Sequence, residues 1–265
     1  MGRPKANLEW HGSTLLHRVT GMVGRAVDGP VVVVRAVGQE LPELPPGVRV
    51  VEDAAEGRGP LQGLAAGLAA VARDAGVAYV SGTDAPFLHP AFVRAVVRAA
   101  SREDVDVAVP VIAGIAQPLA AAYRTSLVAT VEELIAEGEL RATALLERCR
   151  VRELTEEELL ADAELAAADP ELLSVLNLND PDEYTHARAR EAPSVTVHLL
   201  LGLARNGADP LTVRAATLEA AAEAAGVAFG RGVFTTLNGV FVKRNPKLPL
   251  VGGDVVAFAA PRRRT

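Results

Sequence analysis

The sequence predicts an α/β fold with a mostly parallel sheet over its first 190 or so residues, followed by a small α+β module. Three observations predict it. Short apolar runs alternate with segments of helical periodicity up to residue 191. The runs are rich in β-branched residues, above all Val31-Val32-Val33-Val34, as strands buried on both faces require. The pattern then changes after Ala192-Pro193-Ser194, the best linker candidate, which separates residues 1–191 from residues 195–265.

In chain order, residues 14–27 read as a helix, 30–34 and 48–51 as strands, 60–74 as a helix, 77–80 as a strand, 90–100 as a helix, 105–111 as a strand and 127–137 as a helix. Pro60 and Pro90 suit a first helical turn, where a missing N–H costs nothing. Thr155-Glu156-Glu157-Glu158 has the form of a capped helix start, with a hydroxyl at the N-cap and carboxylates near the positive end of the helix dipole. Residues 175–178 read as a last strand, and Pro181-Asp182 opens a helix running to about residue 191. Beyond the linker, 194–201 alternates as a strand, 217–225 is an Ala-rich helix, and 233–237, 240–242 and 254–258 are short strands. Asn238-Gly239 joins two of them and is the residue pair that a tight hairpin favours.

At 265 residues, 49% hydrophobic and 23% charged, the composition excludes a disordered or collagen-like chain. The apolar runs 64–71 and 195–203 fall far short of the roughly 20 residues of a membrane span, so no transmembrane helix and no membrane partner are expected. A single cysteine, Cys149, excludes an internal disulfide and an all-cysteine metal site; its neighbours Arg148 and Arg150 could lower a thiol pKa, but no motif surrounds it and a structural role is expected. The five histidines show no metal-ligand spacing. No secretory pattern opens the sequence, and the expected compartment is the cytoplasm. Residues 194–265 carry nine Lys and Arg against four Asp and Glu, a net of +5, which leaves −11 on residues 1–193 out of a whole-chain −6. So acidic a first part argues against a nucleic-acid partner.

Three stretches fall at the carboxyl ends of predicted strands or the starts of predicted helices, where open α/β sheets bind ligands. Gly2-Arg3-Pro4-Lys5 offers a glycine for close approach, an Arg fork and a Lys point charge. Gly59-Pro60-Leu61 opens a helix whose free N–H groups suit an anion, although a Gly-Pro step can equally be a plain helix start. Asp84, in Gly82-Thr83-Asp84-Ala85-Pro86 just past the strand 77–80, suits Mg²⁺, a hard cation that takes one or two carboxylates and completes its shell with water and phosphate oxygens; it could also close a turn. Asn177 and Asn179 could be turn formers ahead of Pro181.

Taken in order, Met1-Gly2-Arg3-Pro4-Lys5, Gly59-Pro60-Leu61-Gln62-Gly63, Thr83-Asp84-Ala85-Pro86-Phe87-Leu88, Gln117-Pro118-Leu119 and Asn177-Leu178-Asn179 resemble the motifs of the molybdenum cofactor guanylyltransferases. The resemblance covers residues 1–191. It implies a Rossmann-like, mostly parallel nucleotidyltransferase domain that joins GMP from GTP to the phosphate of molybdopterin with Mg²⁺, releasing pyrophosphate. It implies that Lys5 neutralises the nucleotide phosphates, that Asp53 helps to hold GTP, and that Asp84 binds Mg²⁺ and touches the nucleotide. Gly2, Arg3, Gly59, Pro60 and Leu61 complete the implied GTP site, and Asn177 and Asn179 are weaker candidates for the pterin. Arg35 is also a candidate for the GTP site, although it departs from the family, standing where some members carry an Asn used for the nucleotide. A cytidylyltransferase, a sugar-phosphate nucleotidyltransferase and a non-catalytic molybdopterin carrier are the alternatives. The resemblance also implies a strand and a glycine-rich loop ahead of Met1, roughly 10–20 residues, and hence a misassigned start or a chain that folds poorly and turns over little.

Leu237-Asn238-Gly239-Val240 through Leu248, with Gly252-Gly253-Asp254-Val255-Val256-Ala257-Phe258, resembles the β-grasp sulfur carriers that include the molybdopterin synthase small subunit. Those carriers end in Gly-Gly, whereas this sequence ends in Arg262-Arg263-Arg264-Thr265, so the implied role is docking or dimerisation. Other proteins of cofactor biosynthesis, or the molybdoenzymes themselves, are the partners this module implies. The terminal arginines are candidates for contact with a pterin phosphate or with the acidic first part.

Overall fold

The computed structural model describes residues 4–53, 59–204 and 210–261. The chain opens with a two-residue hairpin, β1 (Glu9–Trp10) and β2 (Ser13–Thr14), turned at His11 and Gly12 with φ of 44° and 90°. Thr14 then caps α1 (Leu15–Ala26) by accepting from the His17 N–H. β3 (Val32–Ala36) and β4 (Arg49–Asp53) pair in parallel, and α2 (Gly59–Val71) leads on to β5 (Val77–Ser81). α3 (Pro90–Ala100), β6 (Val107–Ile112), β7 (Ile115–Ala116) and β8 (Ala120–Arg124) follow. α4 (Val128–Ala136), α5 (Ala142–Leu146), β9 (Val151–Thr155), α6 (Glu156–Leu160), α7 (Ala163–Ala168) and α8 (Pro181–Arg188) complete the first part. α6 begins with the expected capping box between Thr155 and Glu158.

The main sheet runs β5-β8-β6-β7, with β9 parallel to β6 on another side. It is mixed rather than mostly parallel, because β8 lies antiparallel between β5 and β6. Ala120-Ala121-Ala122 carries little β-propensity, which hid β8 from the sequence pattern; it is a strand because small residues fit the crowded centre of the sheet, where all three are buried. Residues 175–178 are not a strand. Leu173–Val175 forms a 3₁₀ turn, and Leu178 buries its side chain against Trp10 and Leu15 instead of joining the sheet.

β3 and β4 stand apart from this sheet. Among the described residues β3 pairs with β4 and β5 with β8, and residues 31–34 and 77–82 line one cavity of about 770 Å³. Side chains of α1, α2 and α3 close it above and below. Every residue of β5 is only half-buried, whereas the first four residues of β6 and of β8 are buried.

Residues 194–260 build a second five-stranded sheet, from β10 (Ser194–Leu201), β11 (Leu211–Arg214), β12 (Phe234–Leu237), β13 (Val240–Val242) and β14 (Val255–Ala260), in the order β11-β10-β14-β12-β13. β10 and β14 are parallel and the other pairs antiparallel. α9 (Leu218–Ala224), capped by Thr217, packs Leu218, Ala221 and Ala222 into a core with Val195, Val197, Val256 and Phe258. Asn238 and Gly239 turn the β12–β13 hairpin with φ of 51° and 82°. The sequence pattern missed β11, which alternates half-buried and exposed residues.

One exposed clasp has a measurable pH signature. Asp106 accepts from the Arg150 backbone N–H at 3.0 Å and from its guanidinium at 2.9 and 2.6 Å, tying the start of β6 to that of β9. The Arg150 hydrogen bonds hold the Asp106 carboxyl down to about 2, from its usual 3.8. A lowered carboxyl pKa stabilises the fold above the usual value, and the gain disappears as pH falls from about 4 to about 2. Because Arg150 is largely exposed, solvent screening limits the pair to about 1 kcal/mol or less. Asp106→Asn is therefore expected to lower the melting temperature slightly at pH 7 and to match the parent near pH 2, as read by thermal melts across that range.

Candidate active site

The site is built on two loops and the short segment after Pro4. Leu119 accepts from the Gly82 N–H at 3.0 Å, fixing the chain as it leaves β5, and Asp84 follows two residues later. Its backbone oxygen accepts from the Leu178 N–H at 2.9 Å, so the 82–86 loop and the 177–180 loop are joined directly. Lys5 Nζ donates to Asp84 Oδ2 at 2.6 Å and reaches Asn179 Oδ1 at 3.5 Å. A Cβ on Gly82 would lie 2.6 Å from Asp84 Oδ1 and 3.9 Å from Asn177 Oδ1, so both oxygens sit over the glycine and a side chain there would push Asp84 aside. Lys5, Asp84, Asn177 and Asn179, distant in sequence, thus converge at the carboxyl end of β5.

The support beneath this cluster was not visible in the sequence. Trp10 is buried, packs edge-on against Phe87 with ring centroids 5.4 Å apart, and shares a small core with Leu178 and Ala187. It therefore lies under both loops at once. Its one available signal was that it is the only tryptophan in the chain. Asp180 caps α8 by accepting from the Asp182 and Glu183 N–H groups, and Glu183 accepts from the Asn179 N–H at 2.6 Å. His89 caps α3 by accepting from Ala91 N–H, and burial holds its imidazole below the usual histidine range, in keeping with a neutral ring. Ser174, fully buried, accepts from the His89 N–H.

Gly59 opens α2 with a φ of 73°, and a Cβ there would meet the Leu140 carbonyl oxygen at 2.7 Å, so both its conformation and its packing call for glycine. Pro60 is exposed and borders the cavity beside Gly82 and Thr83. Leu61 is fully buried in the core beneath α2, which leaves only its backbone for a ligand. Arg35 is engaged locally, donating to the Gln39 carbonyl at 3.0 Å and to Glu52 at 2.9 Å. Asp53 ends β4 opposite Ala36. Gly2, Arg3 and the tail Arg262–Thr265 lie outside the described residues. Burial pushes the Cys149 thiol up to about 11, leaving it protonated and unreactive at neutral pH despite its arginine neighbours.

Chemically, the cluster offers a primary ammonium, one carboxylate and two amide carbonyl oxygens. These hard oxygen donors would suit Mg²⁺, which takes one or two carboxylates and completes its shell with water and phosphate.

Residues 1–154 match the family described as the MobA-like NTP transferase domain. A protein of Mycobacterium tuberculosis named "Probable molybdenum cofactor guanylyltransferase" is 39% identical over 151 residues, spanning 56% of this chain and 73% of its own length. Its counterpart of the same name in Mycobacterium marinum is 40% identical over 148 residues, spanning 55% and 72%. Among solved structures, the molybdopterin-guanine dinucleotide biosynthesis protein A of Archaeoglobus fulgidus superposes with a TM-score of 0.55 at 23% identity, covering 71% of this chain and 90% of that one. The 2-C-methyl-D-erythritol 4-phosphate cytidylyltransferase of Thermus thermophilus gives 0.50 at 19%, covering 70% and 92%. At such identities these two report a shared fold. With more than half of its length matched and its sequence relatives covered over most of theirs, the chain belongs to the MobA-like NTP transferase family.

Proposed function

We propose that this protein transfers GMP from GTP to the phosphate of molybdopterin, releasing pyrophosphate. The observation that carries the reading is the convergence of Lys5, Asp84, Asn177 and Asn179 at the end of β5, in a chain whose relatives bear the guanylyltransferase name.

The chemistry asks for what these residues have. An anionic pterin phosphate must approach an anionic α-phosphate, and charge grows on the departing pyrophosphate, so the demand is for positioning and positive charge rather than a covalent nucleophile. Asp84, with the Asn177 and Asn179 carbonyl oxygens nearby, would hold Mg²⁺, which would draw charge from the phosphate oxygens. Lys5 pairs with the Asp84 carboxylate at 2.6 Å. Its flexible stem allows the ammonium to swing from Asp84 to the triphosphate. Gly59 and Pro60 open α2, Pro60 lines the cavity that Gly82 and Thr83 also line, and the N–H groups of a first helical turn favour phosphate oxygens. Arg35 and Asp53 stand at the ends of β3 and β4, with Asp53 assigned to holding GTP. The Arg35 pairing with Glu52 supports a structural more than a nucleotide-binding part for that side chain.

Residues 195–265 are read as a β-grasp module. In support, its five strands place the first and last in parallel at the centre, with one helix packed on the sheet.

Turnover with Mg²⁺, molybdopterin and each of GTP, CTP and ATP tests the reading. GTP is expected to be preferred by at least tenfold in kcat/KM; equal or greater use of CTP would overturn the guanylyl assignment, and binding without turnover would favour a carrier.

A further inference from the structure

The residues 249–254 pack on one stripe of α1, at positions 18, 21 and 25, spaced as neighbours on a helix face. Arg25 forms a two-pronged pair with the buried Asp254, at 2.9 and 2.7 Å, and donates to the Pro249 carbonyl at 2.9 Å. Pro249 lies so close over Gly21 that a Cβ there would stand 2.6 Å from its Cδ. Asp254 also accepts from Asn238 and from the Val251 N–H, so the ion pair is locked into the C-terminal module. Val251 itself joins the core of the first part.

Arg18 sits at the end of this stripe and faces two ways. Its guanidinium is buried, donating from Nε to the Pro86 carbonyl at 2.5 Å and from both terminal nitrogens to the Leu250 carbonyl at 3.5 Å. Burial, with Arg25 nearby, pulls its pKa down to about 10, so it remains cationic at neutral pH. Pro86 is two residues from Asp84 in the same loop. A single buried cation therefore bridges the C-terminal module and the loop that carries the site's carboxylate.

We infer that Arg18 is a positioning residue, and that the docked 249–254 segment works through it to set the Asp84 loop for nucleotidyl transfer. The C-terminal module thereby gains a part in the reaction that needs no sulfur-carrier chemistry. With Leu250 withdrawn, Arg18 would lose an acceptor for its terminal nitrogens, and the Pro86 carbonyl would be held by a side chain free to turn. The inference deepens the transferase reading and rests on it for its activity readout, whereas the coupling itself is read separately from the Leu178 amide, whose N–H donates to the Asp84 carbonyl.

The full chain with Gly21→Ala tests it, since the added methyl wedges against Pro249 without touching Arg18 or the site. Expected are faster hydrogen exchange at Leu178 and a fall in kcat of about tenfold with KM for GTP changed less than twofold, because misplacement of a reacting group acts on the chemical step. Arg18→Gln should give the same split. Lys247→Met, which removes the Lys247–Glu43 pair between the same two parts away from the loop, should leave kcat and Leu178 exchange as in the parent. Should Arg18→Gln fail to fold, Gly21→Ala and Lys247→Met still decide. Unchanged Leu178 exchange in folded Gly21→Ala would overturn the coupling whatever the activity. Faster exchange with unchanged kcat would overturn the positioning role, and equal losses in Gly21→Ala and Lys247→Met would reduce both to general destabilisation.

Discussion

Asp84→Asn is expected to lower nucleotidyl transfer by about 10²-fold or more while leaving the melting temperature within a few degrees of the parent. The carboxylate is the one negatively charged side chain of the cluster, and the amide that replaces it has nearly the same shape, so the change removes charge rather than packing. Loss of one preorganised electrostatic partner at a reacting phosphate costs on the order of 10²- to 10³-fold. The substitution also releases Lys5, whose ammonium stands 2.6 Å from Asp84 Oδ2, so nucleotide affinity should fall less than turnover. If Mg²⁺ is held there, the metal concentration for half-maximal rate should rise in Asp84→Asn and stay constant in Lys5→Met. A variant that keeps parental kcat would remove Asp84 from the chemistry.

The second large effect concerns the cleft between β3 and β5. Among the described residues neither β3 nor β5 pairs on the side that lines it, its lining is mostly valine, leucine and alanine, and residues of α1, α2 and α3 complete it, which is the setting of an interior strand. Lys5 lies at the carboxyl end of β5, so an extended segment joined ahead of it would run parallel to both neighbours. Four aliphatic side chains buried there contribute about 6–12 kcal/mol, and ordering five residues costs about 5–10 kcal/mol. Backbone hydrogen bonds to two edges, at about 0.5–1.5 kcal/mol each, leave a net gain of a few kcal/mol. Extending the chain ahead of Met1 with five valines or isoleucines and a short glycine-rich link should raise the melting temperature by roughly 5–15 °C. It should also slow amide exchange in β3 and β5. The same extension with two prolines, which lack the N–H, should do neither. Equal melting of the two would show that the cleft does not take a strand.

Much of the fold was legible because local signals agreed. The helices starting at Pro90 and Pro181 and the strand 194–201 begin where the pattern placed them, since proline, capping residues and alternation mark those starts. Asn238-Gly239 turns its hairpin for the reason the sequence gives, two residues that accept positive φ. What failed depended on distant partners. Ala120–Arg124 becomes a strand only because β5 and β6 flank it, and 175–178 loses strand form because Trp10, some 165 residues earlier, offers Leu178 a better burial. The site divides in the same way. Asp84 announced itself by its position just past a strand, but its meeting with Lys5 and Asn179 came from the resemblance to a family, since nothing in the spacing joins residues 5, 84 and 179. Arg18 was unreadable, because a lone arginine in an amphipathic helix looks like surface until the helix is seen to be covered by residues 249–254.

Guanylyl transfer to a pterin phosphate leaves a labelled product to follow. Incubation of the full chain, with and without the N-terminal extension, with Mg²⁺, molybdopterin and GTP labelled at the α-phosphate tests it most directly. The label is expected in a molybdopterin product heavier by one guanylyl group, with unlabelled pyrophosphate released in equal amount. Label recovered only as GTP, or as free GMP without a pterin adduct, from a folded and nucleotide-binding protein would contradict it.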